Sequence, residues 1–284
     1  YVVGGRHHPG PPGKNPQRAF FPPWDGDTFP ESTQTLDMHI DDYLAERAAE
    51  FIAAHTDKPF FMCFWPYSVH SPFQAEPDLL AKWQALVDPA NPQRNPTMAA
   101  MIEVLDTSVG RVLDAIKANG LEQNTIVIFT SDNGGNMYEQ VGLTTATNNA
   151  PLRSGKGSNH DGGVRVPMIV RWPGVTQPGE ISSAMVTSTD HYPTILAMAG
   201  LSPRPDDHKD GVNYAPALRG EAFERPFMLS DATPFTFQTA NIPNTYIREK
   251  NWKLVRYWYR EDAQTHRHAL FDTDADIGET NNLA

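Results

Sequence analysis

Cysteine is almost absent from this chain: Cys63 is the single one among 284 residues. No intrachain disulfide can form, so a large packed core rather than covalent staples must hold the fold. Cys63 sits inside the apolar run Phe60-Phe61-Met62-Cys63-Phe64-Trp65. A buried, inert thiol is therefore expected there. Basic residues are also in deficit, with 23 Lys and Arg against 34 Asp and Glu and a net charge of −11. That balance argues against nucleic acid as the main partner. It does not exclude an anionic substrate, because a few cations focused in one cleft can outweigh the overall field. No apolar stretch is long enough to span a bilayer, no leader-type segment is present, and no internal repeat or low-complexity tract occurs. The chain starts at Tyr1 without Met and runs out at Asn282-Leu283-Ala284 with no closing element. It is expected to be a piece of a longer protein.

What is present is an ordinary globular composition, 39% hydrophobic and 20% charged, with 25 prolines among plentiful aromatics. Proline at that level beside aromatics implies ordered loops rather than disorder. The length suits one large domain, or one large and one small. The organising stretch is Thr125-Ile126-Val127-Ile128-Phe129-Thr130-Ser131-Asp132-Asn133-Gly134-Gly135. Its β-branched run lacks alternation and predicts a strand buried on both faces. The run stops at an acid, an amide and two glycines. Ligands of open α/β sheets sit beyond the carboxyl ends of strands. Asp132 and Asn133 are hard oxygen donors of the kind Ca²⁺ or Mg²⁺ takes. A plain Asx turn after a strand is the alternative reading of the same four residues.

In chain order, residues 1–40 read as loop, and Arg6, His7 and His8 form a candidate anion or substrate contact within it, with plain surface loop as the alternative. Adjacent histidines point apart in extended chain, so a metal shared by His7 and His8 is not expected. Asp41 and Asp42 suit the amino end of a helix whose Leu44, Ala48, Phe51 and Ile52 share one face. The run Phe60 to Trp65 predicts a strand that delivers His70 shortly after its end. Asn95-Pro96 opens a long helix, with Met98, Met101, Ile102, Leu105, Val109, Val112, Leu113 and Ile116 as its apolar stripe and Asn119-Gly120 as its stop. Strand, helix and strand in that order predict a right-handed parallel crossover.

Residues 150–167 then gather four glycines and five ionisable side chains, Lys156 lying between two of the glycines. Glycine on both sides lets the backbone bring that ammonium close to an oxyanion. The order of a nucleotide-binding phosphate loop is absent, and a flexible surface loop is the alternative. Pro167 to Trp172 predicts a strand, and Ser188 to Ala199 a short helix with Tyr192, Ile195, Leu196 and Met198 inward. A Pro- and charge-rich stretch from Leu201 to Asp210 suggests a boundary, dividing residues 1–200 from a smaller subdomain of residues 201–284. Tyr246 to Arg248 and Trp252 to Tyr257 read as a hairpin turning near Lys250-Asn251, with Ala269 to Asp272 as a third antiparallel strand.

The matching stretches are specific: Asp57 to Phe61 through His70, Leu105 to Arg111, Thr125 to Gly135, Leu152 to Gly174, Asp190 to Gly200, Asn251 to Leu254, Leu270 to Asp272 and Gly278 to Leu283. Together they resemble the type I sulfatases of the alkaline phosphatase superfamily over nearly the whole chain. The resemblance implies an α/β fold, a mostly parallel sheet sandwiched by helices, with a small C-terminal antiparallel sheet. It implies that Asp132 and Asn133 are metal ligands, for Ca²⁺ before Mg²⁺. It implies that Lys156 and His70 contact the sulfate and its leaving oxygen as catalytic groups. Arg153, Asn159 and His160, beside Lys156, and His7 and His8 are the implied substrate-binding residues.

The chain departs from the family in one large respect. The family nucleophile is a Cys or Ser converted to formylglycine within C/S-x-P-x-R, and Cys63 is followed by Phe64-Trp65-Pro66 instead. The expectation is a sulfuric ester hydrolase acting on a sulfated sugar or polysaccharide, exported to the periplasm or secreted. Its formylglycine and remaining metal ligands would lie in an amino-terminal part that these 284 residues do not include, so the piece alone should release no sulfate. Two alternatives stand beside it. One is a phosphodiester or phosphonate monoester hydrolase with the same metal site, and the other a non-catalytic fragment or scaffold. The upstream coding sequence discriminates: a C/S-x-P-x-R motif there sinks the non-catalytic reading, and its absence supports it.

Overall fold

A computed structural model describes residues 38–232, 242–258 and 267–284. Arg6, His7 and His8 lie outside the described residues. The described residues form two compact units, one of residues 38–125 with 139–147, the other of residues 126–138 with those described from 148 onward. Neither limit coincides with residue 200, and the subdomain of residues 201–284 stands as a proposal.

The first unit is mainly helical. Helix α1 (Ile40–Ala53) turns Ile40, Leu44, Ala48 and Ile52 inward, the i, i+4 row that the apolar spacing predicts. Helix α2 (Pro77–Gln84) is short and buries none of its residues. Helix α3 (Pro96–Ala118) starts at Asn95, whose side chain accepts the Met98 N–H at 3.0 Å. It stops at Gly120, where φ is +70°. Its buried stripe is rotated from the predicted one. Met98, Met101, Val104, Val112 and Ile116 are inside, whereas Ile102 and Leu113 face solvent. Small Ala100 and Ser108 occupy the core side in their place, since close helix packing favours small side chains at the contact. Ile40, Tyr43, Leu44 and Met101 form the core cluster between α1 and α3. The Asn95 amide also donates to the carbonyls of Val141 and Thr145, tying the small hairpin β2 (Gln140–Val141) and β3 (Thr144–Thr145) to the start of α3.

Two expectations about this unit are corrected. Phe60 to Trp65 forms no ladder among the described residues. Its side chains alternate between half-buried Phe60, Met62 and Phe64 and exposed Phe61, Cys63 and Trp65. Cys63 is consequently exposed rather than buried. The run is extended with one covered face, so an apolar composition that suggested two-sided burial delivers only one-sided burial.

In the second unit, strand β1 (Val127–Thr130) pairs with β4 (Met168–Arg171), antiparallel, Ile128 opposite Val170. The expected parallel partnership of β1 with Phe60–Trp65 is therefore absent among the described residues. Nor is β1 buried on both faces, for Phe129 and Thr130 are exposed. The one-turn helix α4 (Asp161–Val164) precedes β4. Helix α5 (His191–Met198) buries Pro193, Thr194 and Met198 but leaves Tyr192 exposed. The one-turn helix α6 (Ala215–Leu218) follows, with Tyr214 fully buried before it and its hydroxyl 2.9 Å from His191 Nδ1.

The carboxyl-terminal sheet has four antiparallel strands, β5 (Met228–Ala232), β6 (Asn244–Glu249), β7 (Trp252–Tyr257) and β8 (Arg267–Asp272), in that spatial order. The hairpin at Lys250-Asn251 and the strand ending at Asp272 were legible in the sequence; β5 was not. Because side chains alternate, register decides which residues share a face. Tyr246, Val255 and Ala269 lie in one row, and with Phe271 they form the inner core of the sheet. Arg248, Lys253 and Phe271 make a second inner row. Leu229, Ile247, Leu254 and Leu270 make an apolar row on the opposite face.

Phe271 is 2% exposed. Phe271→Ala should lower unfolding free energy by about 3–5 kcal/mol, read from the urea midpoint, because the void cannot close against the neighbouring strand.

Candidate active site

Asp132 and Asn133 follow β1 after one residue, Ser131, as the sequence indicates. The turn that carries them is located by backbone rather than by side chains. Gly134 N donates to Gly163 O at 2.9 Å, and a β-carbon added to Gly134 would lie 1.8 Å from Gly162 O. Glycine is obligatory at that crossing, because no real side chain tolerates such a distance. The adjoining Gly135 is gripped by Asn149, whose Oδ1 accepts Gly135 N at 3.2 Å and whose Nδ2 donates to Gly135 O at 2.9 Å. The same Nδ2 donates to Ser154 O at 3.0 Å.

Ser154 lies two residues before Lys156, so Asn149 clamps the Asp132–Gly135 turn to the lysine loop. Lys156 completes the clamp, its own N–H donating to Gly135 O at 3.1 Å. Tyr138 adds to it: its hydroxyl is 2.5 Å from Ser154 Oγ and accepts Gly155 N at 3.0 Å. Gly155, Gly162 and Gly163 each approach another backbone carbonyl too closely for a β-carbon. The glycine loop, for which a flexible surface loop was the alternative reading, is tightly interleaved, and it brings the Asp132-Asn133 turn and the lysine segment together.

Neither Asn149 nor Tyr138 stood out in the sequence.

The remaining predicted residues are placed as follows. Arg153 is exposed, and one guanidinium nitrogen donates to the carbonyl of Glu279 at 2.6 Å. Asn159 is buried and its Nδ2 donates to Asn244 Oδ1 at 2.9 Å. His160 is held on two sides. Its Nε2 is 3.3 Å from the Tyr257 hydroxyl, and its Nδ1 lies 3.2 Å from Glu279 Oε1. The Asn159 amide and His160 Nε2 are therefore engaged within the protein.

His70 belongs to the first unit, where it is exposed and its N–H donates to Tyr67 O at 2.8 Å. The turn before it hangs on Asp41, whose fully buried carboxylate accepts Tyr67 N at 2.6 Å and Ser68 N at 2.8 Å. Asp41 reads in the sequence as a partner of the helix dipole; the structure uses it as the anchor of the His70 turn. The neighbouring His39, also buried, is lowered in pKa by burial, against the pull of Asp41 and Asp42.

Behind the lysine loop lies a charge cluster that sequence reading did not find. Lys253, from the inner face of β7, is fully buried, with Nζ 2.7 Å from Asp161 Oδ1 and 3.0 Å from Glu279 Oε1. Glu279 Oε2 accepts Asp161 N at 2.6 Å. Burial pushes the Glu279 carboxyl up, but His160 and Lys253 outweigh it and hold it at about 2.

Asp132 and Asn133 supply hard oxygen donors suited to Ca²⁺, which takes six to eight oxygens. Among the described residues, no three His, Cys, Asp or Glu side chains are grouped to hold a metal by themselves. The two residues thus fit part of a cation site. An oxygen-donor turn clamped to a lysine loop has the chemistry to meet a tetrahedral oxyanion beside a divalent cation.

Comparison with known proteins narrows that class. Residues 11–201 match the sulfatase family, and residues 156–284 match the N-sulphoglucosamine sulphohydrolase C-terminal family. The chain belongs to the sulfatase family. It is similar to a sulfatase of Formosa agariphila, 35% identical over 264 residues, which cover 86% of this chain and 46% of that protein. An N-acetylgalactosamine-6-O-sulfatase of Bacteroides thetaiotaomicron is 28% identical over 87% of this chain and 48% of its own length. The crystal structure of Ps i-CgsB superposes with a TM-score of 0.72 at 30% identity, over 87% of this chain and 51% of that one. The chain therefore spans about half the length of the relatives it matches. These neighbours share the α/β, alkaline phosphatase-like fold with a C-terminal antiparallel sheet, as the sequence led us to expect.

Two outcomes test this geometry. Gly134→Ala should unseat the turn, weakening Ca²⁺ binding by the full-length protein at least tenfold in a titration followed by thermal shift. Glu279→Gln should cost about 3–5 kcal/mol near neutral pH, where it leaves Lys253 short of a partner. The carboxyl is depressed in the folded state, so its stabilisation is fully present above the ordinary 4.5 and is lost as pH falls through about 2. The gap in urea midpoint between wild type and Glu279→Gln should close over that window.

Proposed function

We propose that the protein containing this chain hydrolyses sulfate esters on a sugar or polysaccharide. The observation that carries the proposal is the clamp between the Asp132–Gly135 turn and the Lys156 loop, in a chain of the sulfatase family. Asp132 and Asn133 would hold Ca²⁺ together with donors from sequence outside these 284 residues. When bound, the cation draws charge from the sulfuryl oxygens, and a formylglycine, also outside this chain, supplies the nucleophile. Lys156 sets its ammonium on the sulfuryl group, offsetting the negative charge that builds on it and on the leaving oxygen. For His70, carried by the first unit, the proposed role is to contact the leaving oxygen of the substrate and give it a proton. Arg153 serves the sugar. Asn159 and His160 shape the substrate wall from behind, their own polar atoms being tied to Asn244, Tyr257 and Glu279.

A hexosamine or galactose-type sulfate is the proposed substrate, supported by the N-acetylgalactosamine-6-O-sulfatase relative. The proposed setting is periplasmic or secreted; among the described residues no helix is long and apolar enough to cross a membrane.

The full-length protein should release sulfate from an aryl sulfate and from a sulfated hexosamine in preference to cleaving a phosphate diester. Preference for the diester overturns the proposal. Lys156→Ala should lower kcat by about 10²–10³-fold, the scale of one lost oxyanion contact. The 284-residue chain alone should turn over nothing.

A further inference from the structure

The charge cluster behind the lysine loop does more than stabilise. Lys253 is fully buried, and its ammonium meets two carboxylates and lies 4.7 Å from the centre of the Tyr246 ring. Asp161 Oδ2 also faces Arg248, at 3.2 Å. A buried ion group of this kind contributes little net stability over an apolar packing of the same volume, yet it fixes geometry strongly because its directions are few.

What it fixes is the crossing described above. Asp161 immediately precedes Gly162 and Gly163. Gly163 O holds Gly134 N, Gly162 N donates to Arg153 O at 2.9 Å, and Gly155 lies against the Gly163 backbone. A displacement of Asp161 therefore passes within two residues to both the Asp132-Asn133 turn and the lysine loop.

Glu279 is the outlying member, more than a hundred residues further along the chain. It comes from a tail segment that returns along β8, where Leu283 N donates to Leu270 O at 2.9 Å. Asp276 shapes the tail turn, its Oδ2 accepting both Thr280 N and Asn281 N at 2.7 Å. The turn holds Glu279 at φ +50°, a conformation that a non-glycine residue keeps only when its surroundings over-determine it. Four contacts do so. Its carboxylate meets Lys253, His160 and the N–H of Asp161, and its carbonyl accepts from Arg153.

We propose that Glu279, through Lys253 and Asp161, is a positioning residue for the reaction: it sets Lys156 and the Asp132-Asn133 turn in register with each other. The proposal rests on the assignment of Lys156 to the sulfuryl group.

The test uses the full-length protein with an aryl sulfate, and three measurements on each variant: kcat, KM and the Ca²⁺ dissociation constant from thermal-shift titration. Glu279→Gln should lower kcat by about 10–100-fold and weaken Ca²⁺ by about tenfold, with KM changed by less than about threefold. Glu279→Asp should recover part of kcat. Val255→Ala, a core truncation in β7 outside the cluster, controls for stability and should leave kcat within about twofold at a temperature where it is folded. Should Glu279→Gln not fold, Arg248→Met carries the test, with an expected loss in kcat of about 3–10-fold. Wild-type kcat and Ca²⁺ affinity in a folded Glu279→Gln or Arg248→Met overturn the proposal, as does an equal kcat loss in Val255→Ala. Lys156→Ala separates the two readings. Undiminished kcat there sinks the assignment of Lys156 itself, whereas loss there with an unimpaired Glu279→Gln sinks only the positioning role.

Discussion

Gly134 meets the carbonyl of Gly162 at a separation that admits no β-carbon, and the arrangement of the second unit follows from that crossing. It lets a turn carrying two oxygen donors lie directly on a loop carrying an ammonium. Every other group nearby enforces the contact. Asn149 bridges the two backbones, Tyr138 pins Ser154 and Gly155, and the buried ion group holds Asp161 one residue away. Glycine-rich sequence here means interdigitated backbone, not mobility: side chains are dispensed with so that main-chain groups can satisfy one another at close range.

The carboxyl-terminal sheet takes its place in the same scheme. Its inner face is not uniformly apolar. Tyr246, Val255, Ala269 and Phe271 form a core beside Lys253 and Arg248, and those two cations are turned inward by strand register. An inward-facing lysine in a β-strand is costly without partners. Asp161 and Glu279 are those partners, so the sheet, the tail turn and the glycine loop depend on one another. The first unit repeats the logic on a smaller scale, with the buried carboxylate of Asp41 receiving two backbone N–H groups and fixing the turn that leads to His70.

The proposed sulfatase reaction would give these local devices a common purpose. A transferring sulfuryl group carries spread negative charge, and stabilising it requires cationic groups held in place before the substrate arrives. An ammonium on a flexible four-carbon stem is a poor instrument for that unless its backbone is rigid. The interleaved glycines and the ion group beneath them supply that rigidity. This chain, spanning about half the length of its relatives, holds the Asp132–Gly135 turn and the Lys156 loop tightly against each other.

Local chemistry made much of this legible in advance. The α1 and α3 helices, the Asn95 cap, the Gly120 stop, the hairpin at Lys250-Asn251 and the strand-to-turn signal at Asp132-Asn133 all rest on short-range rules of period, capping and turn geometry. A resemblance carried by stretches scattered over nearly the whole chain pointed to the family. What the sequence could not decide depends on partners distant along it. Whether Phe60–Trp65 pairs, which face Cys63 takes, and whether β1 meets a parallel or antiparallel neighbour are matters of hydrogen-bonding edges and covering layers, on which an apolar run is silent. The same holds for Glu279 and Lys253. Neither stood out in the sequence as a buried group, and only tertiary packing, by removing water from both at once, makes them one buried pair.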